Sequence, residues 1–430
     1  MGSVSEPSAT NGRKPNSPYD TMVTVSLRQP AMSIQWLPYD GCSTSSGSTG
    51  SGFIKRKLIV GSVNGLLKIY DAKLPGSNYS EQYCSSGPLR IVKAIAIDRE
   101  IIRVRCMPQR SSIVAVKCRR PEVIVVNLGS PSSFQETEKV TVEKLDSVNH
   151  LKLRGHYNER FGLSWNEMLA GYLLSGGRDG ILCVWDVNRA AERHVICSPI
   201  YDWMTYGVPI IDVCWSSMTP SPDLTVLFFI LLLIMGALLG APPHGEDIRT
   251  IGKRPPAIAK AGDYGMPTTV AFNGKNGLLA LTGATDGIIK VWDVRKLQRE
   301  AYWIDGARRA IHTLAWCPAK AKVFAAANTT PGVTIYDVST KVDEGFRRST
   351  NSLLGDELLF THTVHSGEVT DLCWDNEIAW MIASVSNDGL CTLWKVSENI
   401  RRVNDTFLSS LASTDLGDAL GLVPTDQSSK

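Results

Sequence analysis

The feature that most constrains this chain is a strand ending that keeps returning. Short apolar runs close at Asp71 (KIYD), Asn127 (VVN), Asp186 (VWD), Asp293 (VWD), Asp337 (IYD) and Lys395 (LWK), at intervals of 56, 59, 107, 44 and 58 residues. Self-similarity at such periods marks a repeat architecture, whose units cannot bury their faces alone and must pack on their neighbours. The 107-residue interval is about twice the others, so one unit between Asp186 and Asp293 has lost its ending; its opening strand survives as Ile210–Trp215. Turn dipeptides recur in step, at Asn64-Gly65, Asp179-Gly180, Asp286-Gly287 and Asp388-Gly389, where glycine accepts the positive φ of a two-residue hairpin. With the degenerate unit counted, the pattern predicts an all-β chain of seven units closing into a ring.

The best-preserved unit is GHYNERFGLSWNEMLAGYLLSGGRDGILCVWDV, residues 155–187. Phe161–Trp165 alternates apolar and polar residues as a half-buried strand does, and Tyr172–Gly176 and Ile181–Trp185 read as two more strands. His156, Ser175, Asp179 and Trp185 sit where imidazole, hydroxyl, carboxylate and indole N–H can satisfy one another inside the sheet. They read as a structural set, not a catalytic pair.

The rest of the chain bounds the function. Net charge is +3, so no strong global field draws the protein to nucleic acid or to acidic membranes. The basic pairs and triplets, Lys55-Arg56-Lys57, Arg119-Arg120, Arg308-Arg309, Arg347-Arg348 and Arg401-Arg402, are scattered and read as solvated loops. Ten cysteines form no C-x-x-C, which argues against zinc or a disulfide framework and for a reducing compartment. No G-x-S-x-G, H-E-x-x-H or phosphate-cradling glycine loop occurs in suitable context, and the seven histidines lack metal-ligand spacing. The expectation is a non-enzyme with no cofactor and no metal.

Residues 1–18 are polar, carry no cleavable signal and are expected to be disordered; residues 404–430 are expected to form a flexible tail. Tyr19, Met22, Val23 and Leu27 fall near one helical face and Pro30 closes the segment, so residues 19–30 are expected to form a short helix. Met32–Trp36 alternates as a strand and is expected to close the ring by joining the last unit. Leu224–Ala241 is uncharged and reaches the lower length limit for a membrane span. A span there would prevent ring closure, so it is read instead as strands of an altered unit.

These units resemble WD40 repeats, and their order is similar to that of the histone-binding WD40 family of MSI or retinoblastoma-binding type. The resemblance is carried by YDTMVTVSLRQPAMSIQWLP (19–38), RVRCMPQ (103–109), the 155–187 unit, DELLFTH (356–362) and HSGEVTDLCWDNEIAWMIASVSNDGLCTLWKVSENI (365–400). It implies a seven-bladed WD40 β-propeller over residues 31–403, with a short N-terminal helix and one degenerate blade at about 208–267. It also implies a non-catalytic nuclear scaffold, compatible with the cytoplasm as well. Such a scaffold is a monomer within larger complexes, its partners histones and subunits of chromatin assembly or modifying complexes. It involves no membrane and no direct sequence-specific nucleic acid.

By the same resemblance, a side groove for an amphipathic histone helix involves Tyr19, Asp20, Val23, Asp356, Glu357, Phe360, Asn399 and Ile400. A top face for a basic histone tail retains Glu100, Glu159 and Phe161. Departures are visible. The family is usually acidic, whereas this chain has a pI near 8.3. Arg347 and Arg348 stand where carboxylates are expected, and Ile102, Ile211 and Ala310 stand where the top face is usually polar or acidic. The alternative is a WD40 adaptor for another cargo, because Trp292-Asp293-Val294-Arg295 resembles the WD-x-R box of substrate receptors for cullin-type ubiquitin ligases.

Overall fold

The computed structural model describes residues 17–38, 53–75, 88–130, 134, 140–158, 162–189, 197–204, 209–215, 230–234, 237–240, 257–259, 265–275, 277–296, 299–306, 309–343, 345 and 357–401. Of the segments expected to be disordered or flexible, 1–18 and 404–430, all but Ser17 and Pro18 lie outside these. Among the described residues the architecture is all-β, with only short helical pieces such as Ser339–Asp343. After β1 (Tyr19–Ser26) the first sheet comprises β2 (Ala31–Trp36), β3 (Phe53–Ser62), β4 (Leu66–Pro75) and β5 (Leu89–Ala96). The second holds β6 (Ile101–Met107), β7 (Arg110–Cys118) and β8 (Val123–Asn127); β9 (Val142–Lys144) returns to the first sheet and β10 (His150–Leu153) completes the second. The third runs β11 (Leu163–Trp165), β12 (Tyr172–Gly176), β13 (Ile181–Asp186), β14 (Tyr201–Met204). The fourth runs β15 (Ile210–Trp215), β16 (Ile230–Ile234), β17 (Ala237–Gly240), β18 (Ala257–Ala259). The fifth has β19 (Pro267–Phe272), β20 (Leu279–Ala284), β21 (Ile288–Asp293), β22 (Tyr302–Asp305), and the sixth β23 (Ile311–Trp316), β24 (Val323–Asn328), β25 (Val333–Asp337), β26 (Leu358–His362). The last joins β27 (Val369–Trp374), β28 (Met381–Ser386) and β29 (Leu390–Val396) to β1.

The sheets are arranged as the blades of a β-propeller. First strands pack side by side, β2 on β6, β6 on β11, β11 on β15, β15 on β19, β19 on β23, β23 on β27, and β27 on β2. The recurring strand endings all fall on the third strand of a sheet, on β4, β8, β13, β21, β25 and β29. The turns at Gly65, Gly180, Gly287 and Gly389 have φ of 78°, 73°, 85° and 81°, as hairpins of this kind require. Apolar clusters fill the spaces between consecutive sheets.

Residues 19–30 do not form the expected helix. Tyr19–Ser26 is a strand whose burial alternates residue by residue, and it pairs antiparallel with β29. The β-branched residues Thr21, Val23, Thr24 and Val25 favour this over a helix, and the free edge of β29 supplies the missing partner. Ring closure is therefore made by β1, whereas Met32–Trp36 is the innermost strand of the first sheet. Pairing of β1 leaves β29 with no free edge.

In the degenerate unit the backbone is again four strands, with β16 and β17 falling inside the apolar stretch 224–241. Among the described residues no helix is long and apolar enough to cross a membrane.

Candidate functional site

Two kinds of constellation stand out, the polar sets inside the sheets and an apolar patch on the side of the ring. In the third sheet the predicted set assembles. Trp185 Nε1 donates to Ser175 Oγ at 2.9 Å, His156 Nε2 lies 2.7 Å from the same oxygen, and His156 Nδ1 is 3.3 Å from Asp179 Oδ2. Since Ser175 accepts from the indole, its proton goes to Nε2, and Nδ1–H faces the carboxylate. Burial lowers the His156 pKa, against the opposing pull of Asp179. Burial alone would raise Asp179, but bonds from His156 and from the N–H groups of Ile181 and Tyr157 outweigh it and hold the carboxyl at about 2. The fifth sheet repeats the core of this arrangement, with Trp292 Nε1 donating to Thr282 Oγ1 at 2.9 Å. Ser175→Ala leaves the indole and the imidazole unpaired in a buried site, so it should cost about 1–3 kcal/mol. Ser175→Thr, which copies the fifth sheet, should cost far less. Urea melts of the two variants against the parent check this ranking.

The last sheet extends its set outward. His365 Nδ1 lies 2.8 Å from Ser386 Oγ and Nε2 lies 2.8 Å from Ser384 Oγ, while Thr392 Oγ1 reaches both His365 at 2.9 Å and His362 at 3.3 Å. His362 stacks on Trp394 with ring centroids 4.3 Å apart, and its Nδ1 is 2.8 Å from Tyr19 Oη. A polar chain thus runs from the interior of the sheet to the closing strand. It ends at Tyr19, on the apolar patch at the side of the ring.

That patch lies where β1, β26 and the helical turn at 398–401 meet. Tyr19, Phe360 and Ile400 pack together on the cluster containing Trp374, Trp380 and Trp394, and the Tyr19 and Phe360 rings meet edge to face at 5.4 Å. Asn399 is exposed on the same turn. Val23 is not part of this group. A bulge between Tyr19 and Thr21 sets Tyr19 opposite Val396 but Val23 opposite Leu393, so Val23 faces the first sheet and packs with its core. The carboxylates are also engaged. Asp20 accepts from Arg401 Nη2 at 2.5 Å and from the Glu398 N–H at 3.2 Å. Glu357 is buried, accepts from the Tyr302 hydroxyl and lies 3.8 Å from Lys341 Nζ. It does not face solvent as a partner-binding acid would. Asp356, Arg347 and Arg348 lie outside the described residues.

On the top face Glu100 is paired with Arg119 at 2.5 Å, and Ile102 is buried. Glu159 and Phe161 lie outside the described residues. The central channel opens into a cavity of about 690 Å³. Two arginines of β6 reach carboxylates there, Arg105 to Asp371 at 3.2 Å and Arg103 to Asp212 at 3.8 Å. Each carboxylate also accepts a backbone N–H from the next sheet, Asp371 from Ile34 and Asp212 from Val270, both near 3.1–3.2 Å. These groups tie one sheet to the next. The channel thiols are inert: burial pushes Cys214 up to about 12 and raises Cys373 well above its ordinary value.

Sequence reasoning missed two buried groups. Arg56 donates to both oxygens of Asp375, at 2.8 and 2.9 Å, and joins the first sheet to the last. Lys117 is fully buried and donates to the Gly176 carbonyl of the next sheet, and burial lowers its pKa to about 8. Strand alternation was the available signal for Arg56, which faces opposite to Lys55 and Lys57.

Sheets knit by indole, hydroxyl, imidazole and carboxylate are the blades of a β-propeller, and the WD domain, G-beta repeat family matches at residues 263–293 and 356–395. The chain thus carries segments that match WD40 repeats, and it resembles an MSI-type protein along most of its length. Over 406 residues it is 25% identical to the WD-40 repeat-containing protein MSI3 of Arabidopsis thaliana, covering 91% of this chain and 90% of that protein.

Proposed function

We propose that the chain is a non-catalytic, nuclear scaffold of chromatin assembly or modifying complexes, built as a seven-bladed ring and binding a basic amphipathic histone helix on the side patch. The observation that carries this reading is the gathering of Tyr19, Phe360 and Ile400, remote in sequence, on one apolar cluster beside the closing strand. An amphipathic helix needs such an apolar seat, with carboxylates nearby for its Lys and Arg residues. Support for strong charge steering is thinner, because Asp20 and Glu357 already have cationic neighbours within the chain. The cullin-adaptor alternative has less behind it: Arg295 of the WD-x-R box is held by both oxygens of Asp293, at 2.9 and 2.7 Å.

A labelled histone-helix peptide, titrated by fluorescence anisotropy at several salt concentrations, tests the reading. Phe360→Ala should weaken binding about 5- to 30-fold at every salt, in keeping with the loss of about 1–2 kcal/mol of apolar contact. Arg401→Ala releases Asp20 and should tighten binding at low salt only. No saturable binding, or indifference to Phe360→Ala, sinks the histone assignment.

A further inference from the structure

The polar chain of the last sheet has a direction. Asp388, in the hairpin turn that opens β29, accepts from the Ser366 and Ser386 hydroxyls and from the N–H groups of Ser366, Gly367 and Leu390. Burial alone would raise its pKa, but these bonds outweigh it and keep the carboxyl charged, able only to accept. The Ser386 proton is therefore committed to Asp388, and the Ser386 oxygen takes its next bond from His365 Nδ1–H at 2.8 Å. Burial keeps His365 neutral, which leaves its Nε2 bare, an acceptor.

Two hydroxyls face that nitrogen, Ser384 Oγ at 2.8 Å and Thr392 Oγ1 at 2.9 Å. They lie 2.7 Å from each other, a separation that needs a proton between them, and Trp394 Nε1 already donates to Ser384. One hydroxyl proton sits between the two oxygens and the other goes to His365 Nε2. None is left for His362 Nε2, 3.3 Å from Thr392 Oγ1, so His362, kept neutral by burial, supplies that proton itself. Sending a hydroxyl proton to His362 instead leaves the buried His365 Nε2 unpaired and exchanges a 2.9 Å bond for a 3.3 Å one. With its proton on Nε2, His362 offers a bare Nδ1 to Tyr19 Oη at 2.8 Å, and the phenol donates inward.

We propose that Tyr19 meets a partner on the side patch as a hydrogen-bond acceptor, its polarity set by Asp388 through Ser386, His365, Thr392 and His362. Tyr19 is half-buried, and its hydroxyl makes no other bond among the described residues, so a lone pair remains for the partner. Such an oxygen suits an ammonium, a guanidinium or an amide N–H and disfavours a carboxylate. For the partner's identity this rests on the histone-helix reading, to which it adds that one Lys or Arg of the helix donates to Tyr19. The direction of the chain belongs to the free protein and does not depend on that reading.

Heteronuclear NMR on the full chain, labelled at its histidine nitrogens, reads which imidazole nitrogen carries the proton; His362→Gln and His365→Gln assign the signals. His362 should be protonated on Nε2 and His365 on Nδ1. Thr392→Val removes the oxygen that receives the Nε2 proton and should move His362 toward the Nδ1–H form, which a merely structural role of Thr392 would not do. Tyr19→Phe keeps the ring and should weaken the labelled histone-helix peptide about tenfold, the loss of one charge-assisted bond. Among peptides with each Lys or Arg replaced in turn by norleucine, one should bind the parent more weakly but Tyr19→Phe no more weakly. Thermal melts confirm that both variants remain folded. A parent His362 protonated on Nδ1 overturns the polarity, whether or not the peptide binds. Binding that falls with Phe360→Ala but not with Tyr19→Phe, or that shows no norleucine replacement coupled to Tyr19, overturns the contact and leaves the histone reading standing. Absence of saturable binding removes the histone reading and the Tyr19 contact together, while the imidazole spectra still decide the direction of the chain.

Discussion

Deleting residues 1–26 should cost the chain its monomeric state, whereas deleting residues 1–16 provides the matched reference. The closing strand pairs with β29 from Tyr19 to Ser26, and its inward residues complete two cores at once: Tyr19 on one face of the last sheet, Val23 on the other. Without it, the edge of β29 from Leu390 to Val396 is unpaired and its apolar residues lose their cover. The expected result on light scattering is concentration-dependent association, together with a large drop in melting temperature. A milder version isolates the packing. Val23→Asp keeps the strand but sets a charge against Leu393 and the first-sheet core, costing about 2–4 kcal/mol, while Val23→Thr should cost about half as much. If the 1–26 deletion melts like the reference and stays monomeric, β1 is a passive appendage and the closure argument is wrong.

That strand also shows where the sequence is legible and where it is not. The hairpins at Gly65, Gly180, Gly287 and Gly389 are readable because a turn is decided by two residues, and the strand endings because each closes a local run. The set at His156, Ser175, Asp179 and Trp185 is readable for the same reason, all four lying within one unit. Residues 19–27 are harder: Tyr19, Met22, Val23 and Leu27 fit a helical period, while Thr21, Val23 and Val25 fit a strand period. The tie is broken by β29, more than 360 residues away, which no local pattern contains. The bulge after Tyr19 is equally hidden, and it is what separates Val23 from the patch formed by Tyr19, Phe360 and Ile400.

Charged residues are the least legible. Glu357 reads as a surface acid, yet Tyr302 and Lys341 enclose it. Lys55-Arg56-Lys57 reads as one solvated cluster, yet alternation divides it into two surface cations and one buried inter-sheet clamp. In each case burial follows from pairing partners outside the segment. Residue type alone cannot report it.

Acid should destabilise the last sheet while Asp388 is still charged. His362 and His365 are buried side by side, their rings 5.7 Å apart. Burial lowers His362 to about 3, with His365 adding to the effect, and burial lowers His365 to about 4 against the pull of Asp388. Both values lie below the ordinary 6.5, so between about pH 6.5 and 4 the unfolded chain binds protons that the folded chain refuses. Stability is therefore full above pH 6.5 and falls as pH drops through that window. At pH 4.5 each histidine should have cost about 2–3 kcal/mol. The carboxylates of Asp179 and Asp388 are held below the usual carboxylate range by their hydrogen bonds and stay charged through most of this window. Urea melts at intervals from pH 7.5 to 4.5 should trace the loss. His362→Gln/His365→Gln should start lower at pH 7.5, because the bonds to Tyr19, Ser384, Ser386 and Thr392 are disturbed, and then decline much less steeply. A parent profile that is flat across the window, or a double variant that falls as steeply as the parent, would show that these buried imidazoles do not set the acid sensitivity of the ring.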